Sequence, residues 1–86
     1  MQDEPTQEAV ERELDRSESV VMLLLLHAGH PWPWSMQEIT RELGSELKTA
    51  DAVVGLHAAG LVNRFGEFVF PTRSAARFER LVRALD

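Results

Sequence analysis

Hydrophobic residues recur at helical spacing in four stretches of this chain, and two short apolar runs separate the third stretch from the fourth. The first stretch begins near Gln7 and predicts a long helix that Gly29 and Pro31 end. From Val20 to Leu26 the helix is apolar on every side, so other parts of the protein or a partner must bury every side of it. Its predicted inward stripe is Val10, Leu14, Ser17, Val21, Leu24, Leu25 and Ala28.

Prolines interrupt the next segment, residues 30–34, and predict either a short edge strand or a loop there. Ser35 and Glu38 form the sequence signature of a capping box, which predicts a short helix ending at Gly44. A further helix is predicted over residues 47–59 and ends at Gly60. Its predicted inward positions are Val53, Leu56 and Ala59.

Alternation of large apolar residues in 61–65 and 68–70 predicts a hairpin, with Gly66 at the first position of a tight turn. Thr72 then predicts the cap of a last helix that reaches about Leu85. The expected fold class is therefore mainly α with a small β-hairpin (α+β). We expect one domain over residues 7–86 that follows a disordered segment, residues 1–6.

Two predicted helices and a hairpin follow one another in an order that other proteins share. They lie in residues 34–44 and 51–62, with the hairpin turn at Gly66 and the returning strand in 68–72. This order resembles the winged helix-turn-helix domain of small bacterial transcriptional regulators of the MarR, ArsR and PadR type. The resemblance implies that the second helix of the motif enters the DNA major groove and that the hairpin, the wing, contacts the backbone. It implies a DNA-binding regulator of transcription.

Carried onto this chain, the resemblance gives a set of expected DNA contacts: Lys48, Thr49, Ala52, Arg64, Arg73 and Arg77. Base readout favours Arg, Lys, Asn and Gln, whereas the second helix offers one lysine, one threonine and Asp51. Winged helices also serve as protein-interaction modules, because a fold does not fix a function. A module that binds protein and not DNA is therefore the alternative.

The charge is divided between the two halves of the chain, within a net charge of −5. Residues 1–46 hold ten acids and three arginines, which gives −7, and residues 47–86 hold six bases and four acids, which gives +2. The last helix carries an arginine stripe opposite its apolar side. The stripe could contact phosphates, or it could be a solvated face paired with acids of the first helix in this chain or a neighbour. Its members are Arg73, Arg77, Arg80 and Arg83.

The two-sided apolar segment predicts an interface, because the helix-turn-helix core can cover only one of its sides. The last helix or a second chain can cover the other, and we expect a symmetric homodimer. The predicted interface residues are Met22, Leu23, Leu26, Phe78, Leu81 and Leu85.

Other classes of function lack sequence signals. There are no cysteines, no phosphate-binding glycine loop and no zinc-protease helix, so we expect neither an enzyme nor a cofactor or metal. The three histidines have no spacing typical of a metal site. The longest apolar run is much shorter than a bilayer requires, and the acidic start lacks the basic region of a signal peptide. We therefore expect a cytoplasmic protein.

Overall fold

A computed structural model describes residues 6–27 and 33–85 of the chain. It is mainly helical, with four helices and a small three-stranded antiparallel sheet, which confirms the expected α+β class. The order of the elements also agrees with the predicted order. The elements are α1 (Gln7–Leu26), β1 (Trp34–Ser35), α2 (Met36–Leu43), α3 (Glu46–Ala58), β2 (Val62–Phe65), β3 (Phe68–Pro71) and α4 (Arg73–Arg83).

Hydroxyl caps begin all four helices. Thr6, Ser35, Ser45 and Thr72 each accept a hydrogen bond from the backbone N–H three residues further on, which satisfies one of the free donors of the first turn. At Ser35 the predicted capping box is complete, because the Glu38 side chain also accepts from the Ser35 N–H.

The helix ends agree less closely with the sequence. Gly44 ends α2 in the left-handed conformation that glycine favours, with a φ of 78°. The first helix, in contrast, stops at Leu26, and His27 is already extended. Of the expectations for the neighbouring segments, Gly29 as the helix end and residues 1–5 of the segment 1–6 expected to be disordered lie outside the described residues, whereas Thr6 of that segment is ordered as the cap of α1.

The sheet has the order β1-β3-β2, so β3 is its central strand. The predicted hairpin is present, with Phe65 opposite Phe68 and Gly66 at a positive φ of 58° in the two-residue turn. Of the two alternatives for residues 30–34, the edge strand is confirmed at its last residue, because Trp34 pairs with Val69.

The core lies where α1, α2 and α3 meet one face of the sheet. It comprises Val21, Leu25, Trp34, Ile39, Ala52, Val53, Leu56, Val62 and Val69. The predicted inward stripe of α1 is therefore buried only in the second half of the helix, and Val10 and Leu14 are exposed. Ala59, expected to face inward, is also exposed.

Helix α4 packs loosely on the rest of the chain. Ala75 is the one buried residue among Arg73–Arg83. Thr72 ties the start of the helix down, because its hydroxyl donates to the Gly60 carbonyl over 2.8 Å while also capping the helix. Among the described residues, no helix is long and apolar enough to span a bilayer.

Candidate interaction surfaces

The exposed face of α3 is mainly apolar and acidic. Leu47 and Val54 are 71% and 66% exposed, and Glu46 and Asp51 are exposed beside them. Two apolar side chains seven residues apart lie on the same face of a helix. This face is the one that the resemblance would place in a DNA groove, yet it offers carboxylates and hydrocarbon to a ligand.

The one lysine of α3 is already paired. Lys48 Nζ lies 2.7 Å from Glu13 Oε1 on α1, and both side chains are about half exposed. The hydrogen bond from Lys48, together with its charge, lowers the pKa of Glu13 below its ordinary value. Lys48 is exposed as expected, but its charge is matched by a carboxylate within the same chain.

Two of the expected DNA contacts are wrong, because Thr49 and Ala52 are completely buried. The Thr49 hydroxyl donates to the Ser45 carbonyl over 2.9 Å and accepts a bond from Thr40 over 3.1 Å. Its polar atom is therefore satisfied inside the protein. Thr49 and Ala52 complete the inward arc that Val53 and Leu56 begin.

An open groove of about 510 Å³ runs between the first half of α1 and α3. We call it the α1–α3 groove. Exposed apolar side chains of both helices line it, and carboxylates stand among them. The lining residues used below are Val10, Leu14, Leu47 and Val54, with Glu13 and Asp51.

Gly55 lines this groove and faces the end of the Glu18 side chain on α1. A Cβ at this position would overlap Glu18 Oε2 and lie 3.2 Å from Glu18 Cδ. The pKa of Glu18 is raised above its ordinary value, first by burial and second by the charge of Asp15. The sequence analysis missed the groove, although Leu47 and Val54 at a spacing of seven were a usable signal.

The β2–β3 hairpin is short and carries little free charge. Arg64 is exposed as expected, but its Nε donates to the Gly66 carbonyl over 2.8 Å, which folds the side chain over the turn. Aromatic rings are exposed on the same hairpin: Phe65 packs edge-on against the half-buried Phe70, and Phe68 is about half exposed. The hairpin therefore presents more hydrocarbon than positive charge.

Helix α4 separates its charges from its apolar residues. Arg73, Arg77 and Arg80 are exposed on one side, and Arg83, also exposed, is paired with Glu79 of the preceding turn. Phe78 and Leu81 of α4, with Leu85 in the turn that follows the helix, are also exposed, and we call these three residues the α4 stripe. Four arginines against one glutamate give this helix a charge of +3.

The predicted dimer residues lie in two different settings. Met22 and Leu26 are half-buried and line a second open groove, of about 500 Å³, beneath α4. Phe78 of the α4 stripe lines this groove too, whereas Leu81 and Leu85 are exposed outside it, and Leu23 is exposed outside both grooves. The structure thus leaves the expected apolar surface uncovered within one chain.

In the part of the chain that the structure describes, no three His, Cys, Asp or Glu residues are grouped as a metal site would need. The His57 ring instead hydrogen-bonds through Nδ1 to the Val62 carbonyl over 3.1 Å. Comparison of the chain with protein-family models, with curated proteins and with solved structures found no match.

Proposed function

We propose that this chain is a winged-helix protein-interaction module that binds a helical segment of a protein in the α1–α3 groove. The observation that carries the proposal is the exposed face of α3. Leu47 and Val54 dominate it, and Lys48 is paired with Glu13. Removal of exposed apolar side chains of this kind from water by a partner lowers the free energy of the complex.

The occupant that fits the groove is an amphipathic helix with an apolar stripe and basic residues beside it. Two helices form the walls of the groove and apolar side chains of both line it, which suits the helix-in-groove mode of recognition. The first half of α1, residues 7–18, holds five acids and two arginines, a net −3. From α3 the groove receives the Asp51 carboxylate and Lys48, which is paired with Glu13. Basic residues beside the partner's stripe would match this charge.

Duplex DNA is the second candidate, and the exposed arginines favour it. Arg73, Arg77 and Arg80 project from α4, and Arg64 lies at the wing, so these four could contact phosphates. Base readout would then need donors on α3, where the exposed face has carboxylates and aliphatic groups. Phosphate contacts alone would give DNA binding whose affinity falls with rising salt concentration and does not depend on the base sequence. A transcriptional regulator that binds in this way stays the alternative.

A photoreactive amino acid at Leu47 tests the proposal. Leu47→benzoylphenylalanine places the reactive group in the groove, and Gln37→benzoylphenylalanine, exposed on α2 outside it, is the matched control. Irradiation in the native cells should attach a protein to the Leu47 variant and not to the Gln37 variant. Attachment of nucleic acid at Leu47, or equal capture at both positions, would contradict the proposal.

A further inference from the structure

The α4 stripe has the spacing of a helix that inserts into a groove. Phe78 and Leu81 stand at positions i and i+3 of α4, and Leu85 follows at i+7 in the turn after the end of the helix. This sequence spacing is the one by which helical segments anchor in apolar grooves. Their side chains are about two thirds exposed on average. Nothing in the described part of the same chain covers them.

The charges of α4 and of the first half of α1, which forms one wall of the groove, are opposite in sign. The four arginines and one glutamate of Arg73–Arg83 give +3, whereas residues 7–18 of α1 give −3. Arg77 lies one helical turn before Leu81 of the stripe. The charged residues that line the groove itself are Asp51 and the Glu13–Lys48 pair, a net −1. Among the described residues, no ion pair joins α1 to α4 within one chain. The basic face of α4 and the acidic first half of α1 can therefore form ion pairs between two chains.

From this complementarity we infer that the α4 stripe of one copy occupies the α1–α3 groove of a second copy. This inference rests on the proposed function, for which it names the partner. The contact joins two different surfaces, unlike the symmetric packing of α4 and the end of α1 expected from the sequence. When each copy places its α4 in the other's groove, the pair closes with twofold symmetry.

The area available agrees with a stable pair. The four apolar groove residues are about half exposed on average, and the stripe residues about two thirds. Taking about 150 Å² for a fully exposed large side chain, one contact removes roughly 600 Å² of apolar surface from water. Two reciprocal contacts remove about 1,200 Å², the lower end of the range for specific interfaces. A single contact would be weak, so closure of the pair matters.

Mixing two inactivated variants tests the inference. Leu47→Glu places a carboxylate in the groove, and Leu81→Glu places one on the stripe; both positions are exposed, so neither change disturbs the core. Each variant alone should sediment as the 9.7 kDa monomer at concentrations at which the parent chain forms pairs. An equimolar mixture has one intact stripe facing one intact groove, so it should associate more strongly than either variant alone and more weakly than the parent chain. Circular dichroism checks that both variants are folded, and Val54→Glu is a second groove variant.

Two controls separate this contact from the symmetric dimer. Leu23→Glu lies outside both grooves and should leave association unchanged, whereas symmetric packing of α1 and α4 would be disrupted by it. Raising the salt from about 50 mM to 1 M should weaken the opposite-charge contact. Association of Leu47→Glu that equals the parent's, a mixture that associates no more strongly than either variant alone, or a parent chain that is monomeric at high micromolar concentration would each overturn the inference.

Failure of this inference and failure of the proposed function give different results. If the parent chain is monomeric but the photoreactive group at Leu47 captures another protein, the groove binds protein and only the second copy is wrong. If that group captures nucleic acid, the proposed function itself is wrong. Capture of a second copy of this chain, joined to α4, would support both.

Discussion

Replacement of Gly55 by alanine tests the packing of α1 against α3, on which the groove depends. Gly55 lies inside α3, where glycine costs about 1 kcal/mol relative to alanine because it loses more backbone entropy on folding. The added Cβ meets one neighbour, the end of the Glu18 side chain. A flexible carboxylate can rotate away toward water, which would remove the burial that raises its pKa.

We therefore expect Gly55→Ala to stabilise the protein by about 0.5–1 kcal/mol, after an allowance for the displaced Glu18 rotamer. For a domain of this size such a gain raises the Tm by up to about 8 °C. Urea and thermal unfolding measure the change. In the variant the pKa of Glu18, followed by NMR titration, should move back toward its ordinary value.

Glu18→Ala provides the matched background for this measurement. If the Glu18 carboxylate rotates away freely, Gly55→Ala should raise the free energy of unfolding by the same amount with and without Glu18. The interaction free energy from the double-mutant cycle is then near zero. A loss of stability that Glu18→Ala restores would show that the side chain is held in place. A loss in both backgrounds would refute the reasoning, because α1 and α3 would then be too close for any Cβ.

Three further changes probe the core, the last helix and the ion pair. Ile39 is fully buried, so Ile39→Ala should cost about 2–5 kcal/mol of unfolding free energy and Ile39→Val about 0.5–1.5 in urea titrations; equal costs would contradict its central place. Thr72→Ala removes both the α4 cap and the bond to Gly60, so it should cost about 1–2 kcal/mol and speed amide exchange in α4, while Thr72→Ser should not. Because pairing with Lys48 lowers the pKa of Glu13, its stabilisation is present above the ordinary glutamate pKa and is lost as the pH falls through the lowered value. Glu13→Gln should therefore be less stable than the parent near pH 7 and equal to it in acid, and a difference that persists in acid would exclude the ion pair as its cause.

Local signals predicted most of the fold. The hydroxyl caps, with Ser35 and Glu38 as a reciprocal pair, and the glycines at helix ends and in the turn act within a few residues, so their effect can be read from the sequence. The element order and the α+β class follow from these signals together with the apolar spacing.

The sequence did not predict in the same way which sides of each helix are buried. Val10 and Leu14 continue the stripe of Val21 and Leu25, but periodicity does not tell where the rest of the chain stops covering a helix. On α3 the buried arc includes Thr49, whose polar side chain concealed the helical spacing that it shares with Val53. The groove is formed by these uncovered positions, which is why the sequence analysis did not find it.

The exposed face of α3 as a protein surface is the central claim, and a DNA titration tests it most directly. Fluorescence anisotropy of a random-sequence duplex pool would be followed from about 50 to 200 mM salt, a range over which six phosphate contacts lose roughly a thousandfold in affinity. We expect no saturable binding at the lowest salt, and no difference between the parent chain and Lys48→Ala. Tight, salt-sensitive binding that Lys48→Ala weakens would show that this face binds DNA.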